Sequence, residues 1–191
     1  MNDLKFIKQL KRGEPEAYKK LYAEHVRRIG RIAKSYLGVD DVEDVIQEVF
    51  IKVYKNIKKF RGDSSLSTWI YRITVNVCKD MLAKKHRKKE ILTSFGLEDD
   101  DEKTFSEPVE ETKPSDEFLK EVSAEEIQKA INSLSEEDRL LITLREIEEM
   151  SYSDIADVVG KPIGTVKSKL HYARERLKNI LEEKEKASRG E

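Results

Sequence analysis

The stretch Ser151–Tyr172, SYSDIADVVGKPIGTVKSKLHY, has the residue spacing of two short helices joined by a tight turn. Ala156 is small enough to let two helices approach closely, and Gly160 permits a left-handed turn. Val166 then packs the second helix onto the first. This A-x3-G-x5-V spacing predicts a helix-turn-helix. An ordinary helical hairpin with a solvated polar face would show the same spacing, so the spacing alone leaves both interpretations open.

The second helix of this hairpin has one apolar stripe, which turns its opposite face outward. That face carries hydroxyl, amine, imidazole and phenol groups, which can contact phosphates or base edges in a DNA major groove. These residues are Thr165, Lys167, Ser168, His171 and Tyr172, with Lys169 and Arg174 at the flanks. The face is only moderately basic, so we expect this module to bind DNA weakly on its own.

The remaining segments, apart from a central one, also have helical periodicity. The strongest amphipathic signal runs from Val42 to Ile57. Ser135 and Ser151 are each followed three residues later by an aspartate, which predicts two capped helix starts. No segment has the alternating pattern of a strand, so we predict an all-α fold. We expect two small helical domains at residues 1–92 and 122–186, with a tail at 187–191.

The central segment, residues 93–121, is predicted to be a flexible acidic linker. Residues 1–90 carry 22 Lys and Arg against 12 Asp and Glu, a net charge of +10. Residues 91–126 carry 3 against 13, a net charge of −10, and the remaining residues are nearly balanced. A surface loop of one larger domain is the alternative, although loops of this length are uncommon. The basic block indicates a polyanionic partner such as nucleic acid.

Two helices of the basic block carry candidate binding residues. Arg72, Asn76 and Lys79 share one helix face, and Phe60 lies in the preceding loop. An aromatic ring, an amide and basic groups together are what capture of an unstacked base requires. A solvated face with one indifferent asparagine is the alternative, and Trp69 fits either a core or a stacking position. The Val42–Ile57 helix has an acidic outward face, which suits a basic protein surface; this face includes Asp41, Asp44, Gln47 and Glu48.

Composition excludes several other classes of protein. Of the 191 residues 39% are charged, against roughly a quarter in an ordinary domain. We find no signal peptide and no apolar run near the ~18 residues of a membrane span. The single cysteine, Cys78, cannot form an internal disulfide, so we expect a cytoplasmic protein without membrane insertion. His25, His86 and His171 are scattered, so we expect no metal, no cofactor and no enzymatic activity.

Several motifs together resemble a known family. DVEDVIQEVF (41–50), FRGDS (60–64) and TWIYRITVN (68–76) resemble region 2 of bacterial RNA polymerase sigma factors, of the sigma-70 family. LREI (144–147), SYSDIA (151–156) and GTVKSK (164–169) resemble region 4. Two helical domains joined only by a linker resemble the extracytoplasmic-function (ECF) group. The resemblance implies a sigma factor that binds core RNA polymerase and directs promoter-specific initiation through −10 and −35 recognition and DNA melting.

The resemblance also implies a role for each candidate residue. Asp41, Asp44, Gln47 and Glu48 would dock on the clamp helices of the polymerase β′ subunit, and region 4 would pack on the β flap. The −10 element would be held by Phe60, Arg61, Gly62, Asp63, Ser64, Trp69, Arg72, Asn76 and Lys79. The −35 element would be read by Arg145, Tyr152, Thr165, Lys167, Ser168, His171 and Tyr172. An anti-sigma factor is a further expected partner of this group.

Two other functions remain possible from the residues. A stand-alone helix-turn-helix transcriptional regulator would bind duplex DNA without polymerase, usually as a dimer on a palindrome. A protein-interaction module, such as a decoy for an anti-sigma factor, would never open DNA. In the sigma factor interpretation, the acidic linker resembles the segment that threads the polymerase cleft. We also hypothesise that it docks on the basic domain and keeps the free protein from DNA.

Overall fold

The computed structural model describes residues 3–38, 41–94 and 124–189. Within these ranges it contains α-helices joined by short turns, and no strand. The predicted all-α fold is confirmed. The helices are α1 (Asp3–Arg12), α2 (Pro15–Leu37), α3 (Val42–Asn56), α4 (Leu66–Ser94), α5 (Ala124–Asn132), α6 (Glu136–Ile142), α7 (Tyr152–Val159) and α8 (Ile163–Arg189). A 3-10 turn spans Ile57–Lys59, and a π-helical turn spans Thr143–Ile147. Residues 93 and 94 end α4, and the rest of the predicted linker, 95–121, lies outside the described residues.

The first domain is a bundle in which α2, α3 and α4 pack against one another, with α1 beside α2. On α3 the predicted stripe is buried, because Val45, Val49 and Val53 recur every four residues and face the bundle. On α2 the buried face is rotated from the predicted one. Leu21 is fully buried, whereas Tyr22 is largely exposed.

The second domain is formed by α5 to α8, in which α8 packs against α5, α6 and α7. The backbone amides of Asp138 and Asp154 donate to the hydroxyls of Ser135 and Ser151, so both predicted helix caps are confirmed. Gly160 ends α7 in the left-handed conformation, with φ 69° and ψ 39°, as the helix-turn-helix spacing requires.

The connection between α6 and α7 departs from regular helix. The π-helical turn is followed by Glu149, whose φ of 53° lies in the left-handed region that few non-glycine residues adopt. Glu148 caps this turn through its amide, which donates to the Thr143 carbonyl at 2.9 Å. The turn directs the Glu148 side chain toward the first domain, where it is buried.

Two further features differ from the sequence prediction. Helix α1 was not predicted, although Phe6, Ile7 and Leu10 have helical spacing; Leu10 is fully buried. The basic tail after Met81 continues α4 as helix rather than ending it. Among the described helices none is both long and apolar enough to cross a membrane.

Candidate nucleic-acid interface

The outward face of α8 is exposed as predicted. Helix α8 buries Val166, Leu170 and Ala173 against the rest of the second domain. That packing leaves the five predicted contact residues of the helix exposed: Thr165, Lys167, Ser168, His171 and Tyr172. The His171 and Tyr172 rings contact each other, with centroids 5.4 Å apart. The face therefore offers an amine, hydroxyls and two rings to a groove.

Tyr152 stands at the centre of a cationic cluster at the start of α7. The guanidinium of Arg145 lies 4.7 Å from the centre of its ring and the amine of Lys167 lies 5.8 Å away. A hydrogen bond with Arg174 lowers the pKa of the Tyr152 phenol, and the charge of that arginine lowers it further. Arg145 is fixed by donating to the Met150 carbonyl at 2.7 Å. The structure thus brings together three of the predicted residues, Arg145, Tyr152 and Lys167.

Not every lysine of the helix-turn-helix is free for an anion. Lys169 donates to a carboxylate oxygen of Glu137 at 2.6 Å, and Lys161 pairs with the same carboxylate. Burial by itself raises the pKa of Glu137, but the hydrogen bonds from both lysines outweigh it and hold the pKa below its ordinary value. These two lysines are engaged within the domain.

On α4 the predicted polar face is also exposed. Arg72, Asn76 and Lys79 point away from the bundle, because Val75, Val77 and Cys78 are buried on the opposite side. The basic residues that follow extend the same helix with exposed side chains: Lys84, Lys85, Arg87 and Lys88. The result is a long, basic, solvent-facing helix.

The loop before α4 divides into a buried and an exposed part. Phe60 is only 6% exposed and its ring lies 5.2 Å from the Trp69 ring, which is half-buried. Its carbonyl accepts a hydrogen bond from the Lys11 amine at 2.7 Å. By contrast, Arg61, Gly62 and Asp63 are exposed, Ser64 is partly exposed, and Gly62 has a φ of 87°. The two aromatic rings brace the loop that presents these residues.

The predicted acidic face of α3 has an apolar component that sequence reasoning missed. Asp44, Gln47 and Glu48 are exposed, whereas Asp41 is turned toward α4 and paired with Lys85. The same side of the helix exposes two large side chains, with Ile51 at 45% and Tyr54 at 62%. Their positions outside the buried stripe were the available signal. An apolar centre with an acidic rim is typical of a protein-binding surface.

The two domains contact each other, and nothing in the sequence analysis predicted these contacts. Glu148 accepts from Arg31 at 2.5 Å and 3.1 Å and from Arg28 at 3.1 Å. The hydroxyl of Thr68 on α4 donates to Asp154 on α7 at 3.0 Å. The partners are far apart in the chain, so no local pattern marks them. Within the described ranges, no group of acidic, histidine or cysteine side chains could hold a metal ion.

Comparison with protein families gives two matches. A family described as Sigma-70 region 2 matches residues 21–88, and one described as Sigma-70, region 4 matches residues 124–177. The ECF RNA polymerase sigma-E factor of Haemophilus influenzae is 33% identical over 184 residues, which cover 95% of this chain and 96% of the relative. The protein of the same name from Escherichia coli K12 is 32% identical over 182 residues and covers 95% of each.

Solved structures agree with these matches. The sigma factor RpoE of Bartonella quintana, solved with the anti-sigma factor NepR, is 26% identical, with a TM-score of 0.65 over 86% of this chain and 96% of that one. CnrH, solved with the cytosolic domain of CnrY, is 22% identical, with a TM-score of 0.64 over 94% and 97% of the two chains, and shares the fold. The chain therefore belongs to the sigma-70 family, in its extracytoplasmic-function group, and is a sigma factor of RNA polymerase.

Proposed function

We propose that α8 reads the −35 element of a promoter while α4 and its preceding loop hold the −10 element. The observation that carries this proposal is the pair of exposed polar faces, one in each family-matched region. The proposed domains are residues 1–92 and 122–186, joined by 93–121. A stand-alone helix-turn-helix regulator is not favoured, since such a protein has no need of the region 2 bundle.

At the −35 element, α8 would enter the major groove with its first two turns. Thr165, Ser168 and Lys167 lie there with exposed polar groups suited to base edges and phosphates. Tyr152 supports this arrangement, because its ring lies under the guanidinium of Arg145 and the amine of Lys167. His171 and Tyr172, one turn further on, would contact the same groove or its phosphate backbone.

At the −10 element, Asn76 is the proposed contact to a flipped base, since its amide both donates and accepts. Arg72 and Lys79 flank it on the exposed face and would contact phosphates. Phe60 is buried, so we propose that it acts by bracing Trp69 and the loop Arg61–Ser64. Helix α4 does not need catalytic groups for this role: the proposed function is binding and strand separation.

For the polymerase, we propose α3 as the docking helix on the β′ clamp helices. Asp44, Gln47 and Glu48 supply the polar rim, and Ile51 and Tyr54 supply the apolar centre. Asp41 contributes by fixing the start of α3 through Lys85. The second domain would pack on the β flap. We further propose an anti-sigma factor as a partner, as in the RpoE–NepR complex, and the cytoplasm as the site of action.

Transcription with purified core RNA polymerase tests this proposal. Genomic fragments are transcribed with and without the chain, and the transcript starts are sequenced. We expect new starts that share two upstream elements. The variant Asn76→Ala should reduce open-complex formation at these promoters but leave co-purification with core polymerase unchanged. Asn179→Ala, an exposed asparagine of α8 away from its first turns, is the matched control. A chain that adds no new starts, or a variant that starts as well as the parent, would contradict the proposal.

A further inference from the structure

The buried carboxylate of Glu148 joins the two domains. Its side chain is 1% exposed, and both of its oxygens are paired with arginines of the other domain. Arg31 donates through two nitrogens, a fork geometry that is among the stronger charge-assisted arrangements. We name this group, Arg28 and Arg31 with Glu148, the interdomain latch.

Other contacts extend the interface along α4 and α7. The Thr68 hydroxyl donates to Asp154, whose other oxygen accepts from the cap residue Ser151. At the other end of α7, the Lys79 amine lies 3.4 Å from the Val159 carbonyl. The buried apolar residues of the two domains form one continuous cluster. The closed arrangement is therefore a packed interface rather than a single ion pair.

This arrangement places the two proposed DNA-reading helices close together. Helix α7 packs on α4, and α8 packs on α7. Helices in contact have axes roughly 8–10 Å apart, so the start of α8 lies within about 20 Å of α4. The −10 and −35 elements are about 25 base pairs apart by their names, or roughly 85 Å at 3.4 Å per base pair. One chain in this conformation cannot bind both elements.

We propose that the interdomain latch holds the free protein in a closed, autoinhibited conformation and must open for the chain to engage a complete promoter. The inference rests on the proposed assignment of α4 and α8 to the two elements. Inhibition acts through distance rather than coverage, because Arg72 and Asn76 stay exposed in the closed conformation. The closed chain should still bind an isolated −10 strand.

Opening costs free energy because it separates a buried carboxylate from both of its cations. Removing one partner of such a pair leaves a charge that is poorly solvated in the closed state. Reversing the charge at Glu148 or at Arg31 therefore favours the open state. Restoring opposite charges in a double variant should close the chain again. Core polymerase would open the wild-type protein by binding the separated domains more tightly than the closed pair.

Distance measurements between spin labels test the conformational step. Labels are attached at Lys58→Cys and Glu175→Cys, both exposed positions in different domains. The native Cys78 is buried, and burial raises the pKa of its thiol to about 12, so it stays unlabelled. We expect one short distance in the free protein and a longer one with core polymerase. The variants Arg31→Glu and Glu148→Arg should show the long distance without polymerase, and the double variant should recover the short one.

The matched control is Arg27→Glu, an exposed arginine of the same helix. It changes the charge equally and should leave the short distance in place. A long distance in the free wild-type protein, or single variants that remain closed, would overturn the latch. Recovery by the double variant separates a lost ion pair from a lost fold, and failure of that recovery in folded protein counts against the proposal.

DNA binding tests the inhibitory consequence. For a promoter fragment taken from the transcription assay, Glu148→Arg should raise the affinity of the free chain about 5- to 150-fold, the usual range for coupled sites. Affinity for a single-stranded −10 fragment should not change. An open variant without this gain would show that the contact does not inhibit. If the chain directs no transcription at all, the proposed function fails while the distances still test the latch.

Discussion

At the residue scale, the buried histidine of α2 makes stability depend on pH. His25 is buried, and its Nδ1 lies 3.2 Å from the Tyr71 hydroxyl. Burial lowers the pKa of His25 below its ordinary value of 6.5, and nearby Arg28 lowers it further, against the opposing charge of Glu24. The unfolded chain therefore binds a proton at a pH where the folded chain does not. Stability should be unaffected well above pH 6.5 and should fall as the pH drops below it.

The measurement is the urea midpoint of the full chain at pH 7.5 and pH 5.5. The wild-type midpoint should drop between the two, and His25→Gln should show a smaller drop because glutamine does not titrate. His171→Gln, at an exposed position, should behave as the wild type. Equal drops in all three proteins would show that His25 does not contribute to acid sensitivity.

The same scale separates what sequence could predict from what it could not. Exposure of Asn76 and Lys167 followed from helical periodicity, because the buried face of each helix fixes the opposite one. The burial of Phe60 did not follow, since loop residues have no period. The pairing of Asp41 with Lys85 depends on how α3 and α4 pack, which spacing along the chain does not specify.

At the scale of elements, the turn between α7 and α8 depends on one glycine. Gly160 has a φ of 69°, and an added Cβ would meet no atom within 4 Å. The cost of Gly160→Ala is therefore a backbone cost, about 1 to 2 kcal/mol for a left-handed residue. We expect the thermal midpoint of the second domain to fall by several degrees.

Gly164 provides the matched control on the neighbouring helix. It lies in the first turn of α8 with open space around its Cβ position, and its φ is not in the left-handed region. Alanine is the better helix former by up to about 1 kcal/mol, so Gly164→Ala should leave the midpoint unchanged or raise it. Equal losses from both substitutions would mean that the left-handed turn is not what matters.

Element boundaries were largely predictable where caps were present. Ser135 and Ser151 marked the starts of α6 and α7, and the stripe on α3 identified its buried face. The π-helical turn Thr143–Ile147 and the left-handed Glu149 were not predictable. The reason is that both depend on Glu148 meeting Arg28 and Arg31, residues that lie in the other domain.

At the scale of the whole molecule, the near-zero net charge hides two different surfaces. Residues 1–90 carry a net charge of +10, and the exposed face of α4 forms part of that basic surface. The hypothesis that the acidic segment shields this domain falls on residues outside the described ranges. The structure instead offers a different restraint on the free protein, the interdomain latch, which holds the two DNA-reading helices too close for a promoter.

Protection footprinting of the promoter tests most directly whether one chain reads two separated elements as part of the polymerase. We expect the chain with core polymerase to protect two patches centred about 25 base pairs apart, roughly 85 Å. Lys167→Ala should weaken only the −35 patch, and Asn76→Ala should weaken only the −10 patch. A single patch that forms equally without polymerase, or variants that weaken both patches alike, would contradict the account.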